Sequence, residues 1–316
     1  MPPTGRSPLV VLGTGALACA IGGRLARAGD RVVLVGAWRA AREAIAQRGV
    51  VVHDPAGTWA APVETASPDD APAGCSTALV LVKGPNTGRA ARILARALAP
   101  GGVAMTLQNG LGPRETLAAT LGPDRVAAGV ALLGALLLAP GEVSVVPGRV
   151  VLGEEDPTRE AVLGLARRLR AAGQEVDATR DLDRLVWTKL AANCAINPLS
   201  ALAGRTNGEV LEDPVALATL REAAREVGAV AAARGTALGG DAAAIAEQVA
   251  RATASNHSSM RQDLERGART EIDSLNGAVV ALGRRLSVPT PVNERLWREV
   301  RKREGRPLPA GSSEAG

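Results

Sequence analysis

The chain has no tyrosine and no phenylalanine, and among its 316 residues only three cysteines, two histidines and three lysines. Each shortage excludes something. Cys19, Cys75 and Cys194 stand singly in apolar surroundings with no CxxC pair, so neither a disulfide framework nor a zinc site is suggested and no metal is expected. Such cysteine usage suits a cytoplasmic protein. No run of about 20 uninterrupted apolar residues is available to span a bilayer, so no membrane role is expected. The net charge of +5 could point to nucleic acid, but the basic residues are scattered instead of forming a block, and no aromatic stacking surface accompanies them. Nucleic acid is therefore not an expected partner.

What is present is ordinary globular composition, 46% hydrophobic and 22% charged, in a length that suits two domains of roughly 150 residues. The apolar segment PLVVLGTGALACAIGG after Arg6 has the small residues of a signal peptide. The pattern then continues through Arg24 and Arg27, turns at Ala28-Gly29-Asp30 and enters a β-branched segment, which a cleaved leader would not need.

Leu9 to Leu12 reads as a short buried strand. Gly13, Gly15 and Ala18 then occupy the three positions of the G-x-G-x-x-G/A fingerprint, with an apolar helix to about Ala28. Gly13 would permit the tight turn, Gly15 the approach of a pyrophosphate to the backbone, and Ala18 close packing of helix on strand. Gly13, Thr14, Gly15, Ala16 and Leu17 are thus expected to bind a nicotinamide dinucleotide at a helix N-terminus. The next strand, Val32 to Val35, ends in Gly36-Ala37-Trp38-Arg39, without the Asp or Glu that would take the ribose 2'-hydroxyl of NAD. Arg39, with Arg42 in reserve, is expected to meet the 2'-phosphate of NADP(H); the alternative is a solvated arginine at a helix start.

Further strands at Ala78 to Val82 and Gly102 to Leu107, with helices at Asn86 to Ala97 and Arg114 to Leu121, extend a doubly wound sheet. Lys83 closes one strand and Gln108-Asn109-Gly110 the next, at the strand ends where open α/β sheets bind ligands; alone, these read as a surface lysine and an ordinary turn. After a β-rich stretch to about Gly153 and a helix near Arg159 to Ala172, the sequence is almost continuously helical from Asp181 to Lys302. The expected fold is α/β, an N-terminal Rossmann doubly wound sheet followed by an all-helical C-terminal domain. The boundaries are residues 1–179, 180–303 and a disordered tail at 304–316.

In WTKLAANCAINPLSAL, Lys189, Asn193 and Asn197 recur every four residues and share one face of an apolar helix. That face calls for a satisfied buried network, an exposed stripe, or a reaction centre. The lysine count bears on the choice: only Lys83, Lys189 and Lys302 occur where arginine is the default, and arginine cannot donate a proton usefully near neutrality. Farther on, Ser259 with Gln262 and Thr270 with Asp273 read as helix-capping pairs. Glu271 then stands either as a first-turn acid favoured by the helix dipole or as a carboxylate facing a cleft.

Together GTGALA, a lysine after the fourth strand, LQNGLG, KLAANCAINPLSAL, Asn207-Gly208, SSMRQDLERGARTEID and PTPVN make a sequence that resembles the ketopantoate reductase (2-dehydropantoate 2-reductase) family, from the N-terminal turn to Asn293. The resemblance implies a Rossmann domain, a helical domain, and an active site in the cleft between them. By the same implication Lys189 is the general acid and Glu271 orients it or holds substrate. Asn193, Asn197, Asn256 and Ser259 bind substrate carboxylate and hydroxyl groups, while Lys83 and Asn109 lie beside the cofactor and the reacting carbon. Two departures stand out: Ala18 replaces the usual third glycine, and Asn86 stands where a glutamine is common. The partner implied is a small 2-oxo acid, the setting pantothenate biosynthesis, and a homodimer is the candidate assembly.

The absence of tyrosine removes the Tyr-Lys relay of short-chain dehydrogenases. Of the two histidines, His53 lies near the third strand and His257 beside the serine motif, where capping or packing is the simpler role. The alternatives are a related enzyme reducing another 2-oxo acid or an imine, and a non-catalytic NADP-binding regulator, which would not need Lys189 and Glu271.

Overall fold

The computed structural model describes residues 7–307. Contacts divide the chain into two compact units, one made of the residues up to Gln108 together with Pro113–Leu182, the other of Asn109–Gly112 together with the residues from Asp183 on. The sequence boundary near Thr179 falls three residues short of the observed one. The transfer of Asn109–Gly112 to the second unit was not anticipated.

The first unit runs β1 (Leu9–Leu12), α1 (Ala16–Arg27), β2 (Val32–Val35), α2 (Arg39–Arg48), β3 (Val50–Asp54), β4 (Gly57–Ala61), β5 (Glu64–Ala66), β6 (Cys75–Val80), α3 (Thr87–Ala97), β7 (Leu98–Thr106), α4 (Pro113–Leu121), β8 (Val126–Ala139), β9 (Glu142–Gly153), α5 (Arg159–Ala171) and β10 (Glu175–Thr179). Six strands pair in parallel in the spatial order β5-β2-β1-β6-β7-β8. This is the doubly wound dinucleotide-binding order, with its reversal between β1 and β6. β1 and β2, reading LVVL and VVLV, are buried along their whole length, as parallel strands covered on both faces must be. Their side chains feed two cores, one holding Leu9, Val11 and Leu34, the other Val10, Leu12 and Val33. β8 continues past the parallel sheet to pair antiparallel with β9, which in turn takes β3 and β10 in parallel.

The second unit is helical: α6 (Leu182–Ala203), α7 (Glu209–Glu212), α8 (Pro214–Ala233), α9 (Ala242–Ala252), α10 (Ser259–Glu265), α11 (Asn276–Arg285) and α12 (Pro291–Arg303). Its core packs Trp187, Leu190 and Ile196 against a large complement of alanines, whose small side chains let helices approach closely. Helix starts are marked by side-chain caps: Asp213 accepts from the N–H groups of Val215 and Ala216, and Asp241 from that of Ala244.

Two capping pairs read from the sequence are corrected. Ser258, in extended conformation, caps α10 by accepting from Arg261 N–H, whereas Ser259 is already helical; Gln262 reaches back to the His257 carbonyl instead. Thr270 and Asp273 cap no helix, because α11 begins only at Asn276 and Asp273 is taken by other donors. Glu271 accordingly lies in a turn and not in a first helical turn. The segment from Glu304, expected as a tail, begins in bonded structure: Glu304 accepts from Thr270 N–H and Arg306 pairs with Asp273. Residues 308–316 lie outside the described residues.

Candidate functional site

In the first unit, the chain leaves β1 at Gly13 with φ 134°, a conformation that favours glycine. A Cβ at Gly13 would lie 3.0 Å from the Leu81 carbonyl oxygen, so the turn after β1 passes directly against the chain leaving β6, at the point where strand order reverses. At Gly15, the residue before α1, a Cβ would meet nothing within 4 Å. No side chain caps α1, and its first turn carries no acid. The free N–H groups and positive dipole end are therefore available to an anion, with an unobstructed backbone to approach. These features fit a dinucleotide pyrophosphate.

The end of β2 separates the two arginines. Arg39 opens α2, is highly exposed and pairs with Glu43 at 2.6 Å. Arg42 is half-buried and donates to the Gly36 carbonyl at 2.6 Å, which fixes its guanidinium at the strand end itself. β6 ends at Val80, earlier than the sequence pattern suggests, and Lys83 precedes a 3-10 turn over Gly84–Asn86 with its side chain exposed. Gln108, after β7, donates to the Val82 carbonyl (2.8 Å) and to Thr87 Oγ1 (2.9 Å), tying together the two chain segments that leave β6 and β7.

In the second unit, α6 holds Lys189, Asn193 and Asn197, with the first two half-buried and Asn197 8% exposed. Burial lowers the Lys189 pKa from 10.5 to about 8, against the opposing pull of the Glu271 carboxylate. Glu271 in turn accepts from Asn109 Nδ2 at 3.0 Å. Lys189, Glu271 and Asn109, 162 residues apart at the extreme, are thereby brought into one electrostatic group.

Pro198 sits inside α6 and has no N–H to give the carbonyl four residues back. That carbonyl, on Cys194, accepts instead from Asn276 Nδ2 at 2.9 Å. Asn276 also donates to Asn293 Oδ1 (2.9 Å), and Asn293 Nδ2 donates to Glu226 (2.7 Å) and to the Ala223 carbonyl (2.9 Å). Glu226 closes the network by accepting the N–H groups of Val292 and Asn293 at the start of α12. Nothing in the spacing of these residues announces the network; its nearest signal is the proline within a helical pattern.

Asn256 and Ser259 are exposed, and the Asn256 carbonyl accepts from Asn207 N–H at 3.0 Å. The buried serine is its neighbour: Ser258 receives a bond from Ser200 (2.6 Å) and donates to the Asn197 carbonyl (3.3 Å). His257 is exposed, and His53 bonds Thr58 and Glu142 on the β3–β4 side of the first unit. Among the described residues no cluster suited to a metal ion occurs, and no helix is long and apolar enough to cross a membrane.

Residues 9–157 match the family model of ketopantoate reductase PanE/ApbA, and residues 181–304 that of the ketopantoate reductase PanE/ApbA C-terminal domain. The 2-dehydropantoate 2-reductase of Halobacterium salinarum is 36% identical over 93% of this chain and 97% of its own; that of Archaeoglobus fulgidus is 35% identical over 92% and 96%. A ketopantoate reductase crystal structure from Ralstonia eutropha superposes with a TM-score of 0.87 at 33% identity, over 95% of this chain and 99% of the other. D-mandelate dehydrogenase in complex with NADH and anilino(oxo)acetate shares the fold equally well, TM-score 0.87, at only 19% identity, covering 95% and 98%.

Proposed function

The chain belongs to the ketopantoate reductase family, and from that premise we propose that it reduces the C2 ketone of 2-dehydropantoate to pantoate with NADPH, Lys189 acting as general acid. The observation that carries the reading is the Lys189–Glu271 pair, a rare lysine whose pKa is brought to about 8 by burial. A general acid works best with a pKa near the working pH.

Gly13, Thr14, Gly15, Ala16 and Leu17 would hold the pyrophosphate, Arg39 and Arg42 the 2'-phosphate, and Lys83 and Asn109 the part nearest the reaction. Bound there, the nicotinamide supplies hydride to the ketone carbon. The protein's own work concerns the oxygen. As negative charge grows on the ketone oxygen, the Lys189 ammonium stabilises it and passes a proton to it, leaving a neutral amine and a hydroxyl. Glu271 keeps the ammonium charged until then, since its carboxylate opposes the effect of burial. Asn193, Asn197, Asn256 and Ser259 would hold the substrate carboxylate and distal hydroxyl. The setting is pantothenate biosynthesis in the cytoplasm.

The test is NADPH oxidation on addition of 2-dehydropantoate, run beside NADH and a panel of other 2-oxo acids. The reading expects turnover with 2-dehydropantoate and preference for NADPH. Turnover confined to other 2-oxo acids would overturn the substrate assignment.

A further inference from the structure

Glu271 lies in the turn 270–275 between α10 and α11, so the place of its carboxylate depends on what holds that turn. One tie comes from the Asn109–Gly112 segment, where Leu111 N–H donates to the Ser274 carbonyl at 2.9 Å. A second and larger set comes from the C-terminal end. Asp273 Oδ1 accepts from Trp297 Nε1 (2.8 Å) and Arg301 (2.6 Å), and its Oδ2 from Arg306 (2.7 Å) and Arg269 (3.0 Å). Thr270 N–H donates to the Glu304 carboxylate at 2.6 Å, and Glu304 accepts from Arg306 at 2.6 Å. Arg301 also donates to the Pro307 carbonyl at 3.0 Å. The residues just before and two after Glu271 are therefore fastened to the same C-terminal turn.

The economy of this arrangement is unusual. Among the described residues, pairs such as Arg31–Glu64, Arg149–Asp177 and Arg225–Glu222 join a carboxylate to an exposed guanidinium, which contributes little. Asp273 instead gathers three guanidinium groups and an indole, two of them on α12 side chains that are almost wholly buried, Trp297 and Arg301. Burial by itself would raise its pKa, yet the four donors prevail and hold the carboxyl well below the usual carboxylate range.

We propose that Asp273, Glu304 and Arg306 are positioning residues, a latch that fixes the turn 270–275 and so holds the Glu271 carboxylate where it acts on Lys189. The inference rests on the reading of Lys189 and Glu271 as the proton-donating pair. Glu271 is a charged group that acts on Lys189; the guanidinium groups bonded to Asp273 come from the segment before the turn (Arg269), from α12 (Arg301) and from the C-terminal turn (Arg306).

Because the chain has only three lysines, selective isotope labelling of lysine in the full-length protein gives three side-chain signals to follow by NMR, with Lys189 assigned by its loss in Lys189→Ala. In Asp273→Asn, Glu304→Gln and Arg306→Ala the Lys189 titration midpoint should move below the wild-type value, because a displaced carboxylate no longer offsets burial. In the same variants kcat/KM should fall roughly ten- to a hundredfold, as expected when a catalytic group is misplaced by a fraction of an ångström to an ångström. NADPH affinity should be unchanged. Arg221→Ala, which breaks the 2.6 Å pair with Glu247 elsewhere in the unit, should leave the midpoint where it is. A wild-type midpoint with undiminished kcat/KM in folded Glu304→Gln and Arg306→Ala would overturn the latch. Should Asp273→Asn fail to fold, those two variants carry the test. The lysine titration needs no substrate, so a wild-type protein inactive on 2-dehydropantoate would overturn the functional reading without deciding the latch.

Discussion

Lys189 is a residue whose value depends on being slightly wrong for its surroundings. Burial disfavours the Lys189 ammonium and the Glu271 carboxylate favours it, and in the proposed mechanism that balance leaves the proton easy to give. With the pKa at about 8, ketone reduction should show kcat/KM level below pH 8 and falling above it as the amine loses its proton. Oxidation of pantoate, which needs the neutral amine, should rise through the same range. A pH profile of both directions checks the sign. Lys189→Ala should lose roughly 10²- to 10⁴-fold in kcat/KM while binding NADPH as before. At the cofactor end, Arg42→Ala should weaken NADPH binding by roughly ten- to a hundredfold and NADH binding much less, read by fluorescence titration, because only the former carries the phosphate that a charge-assisted bond rewards.

At the scale of elements, α6 and the turn 270–275 show what local sequence can and cannot announce. The glycine turn after β1 and the four-residue spacing on α6 were readable because strand, turn and helix chemistry act between near neighbours. The partners of the Pro198 break were not, since Asn276 and Asn293 lie 82 and 99 residues beyond Cys194 and meet it only in the folded core. Asn276→Ala strands a buried carbonyl on Cys194 and a buried amide oxygen on Asn293, and should cost about 1–3 kcal/mol for each group left unpaired. A lowered urea midpoint with unchanged slope is the expected outcome. Gly110 gives a sharper case: its φ is 86°, and a Cβ there would fall 2.1 Å from the Ser274 carbonyl oxygen. Gly110→Ala must therefore push the Glu271 turn, and should lower kcat/KM on the order of a hundredfold with little change in NADPH affinity. Misreading Thr270 and Asp273 as a capping pair had the same origin as missing the Asn276 network. A Thr-x-x-Asp spacing is common to helix starts and to turns, and only the distant Trp297, Arg301 and Arg306 decide between them.

For the whole molecule, the two compact units have separate cores, so a cofactor held by the first should stabilise that unit before the second. Calorimetry with NADPH at 100 times its Kd should raise the stability of the transition belonging to the nucleotide-binding unit by about 2.7 kcal/mol, and Lys189→Ala should leave that gain intact. Acid should act on the other unit. The Asp273 carboxyl is depressed below its ordinary 3.8, so its contribution is present above that value in the unfolded chain and is lost as pH falls below it. The stability difference between wild type and Asp273→Asn should accordingly shrink between neutral pH and strongly acidic solution.

The four residues Asn109–Gly112 belong by sequence to the sheet and by contact to the helices. Evolution and the protein engineer face the same consequence. No single cut separates the two compact units, and a chimera built by swapping everything after residue 182 would set Glu271 against another chain's version of the 109–112 segment. An exchange that keeps the Asn109–Glu271 bond must carry that four-residue segment along with the helices, even though each unit has a core of its own.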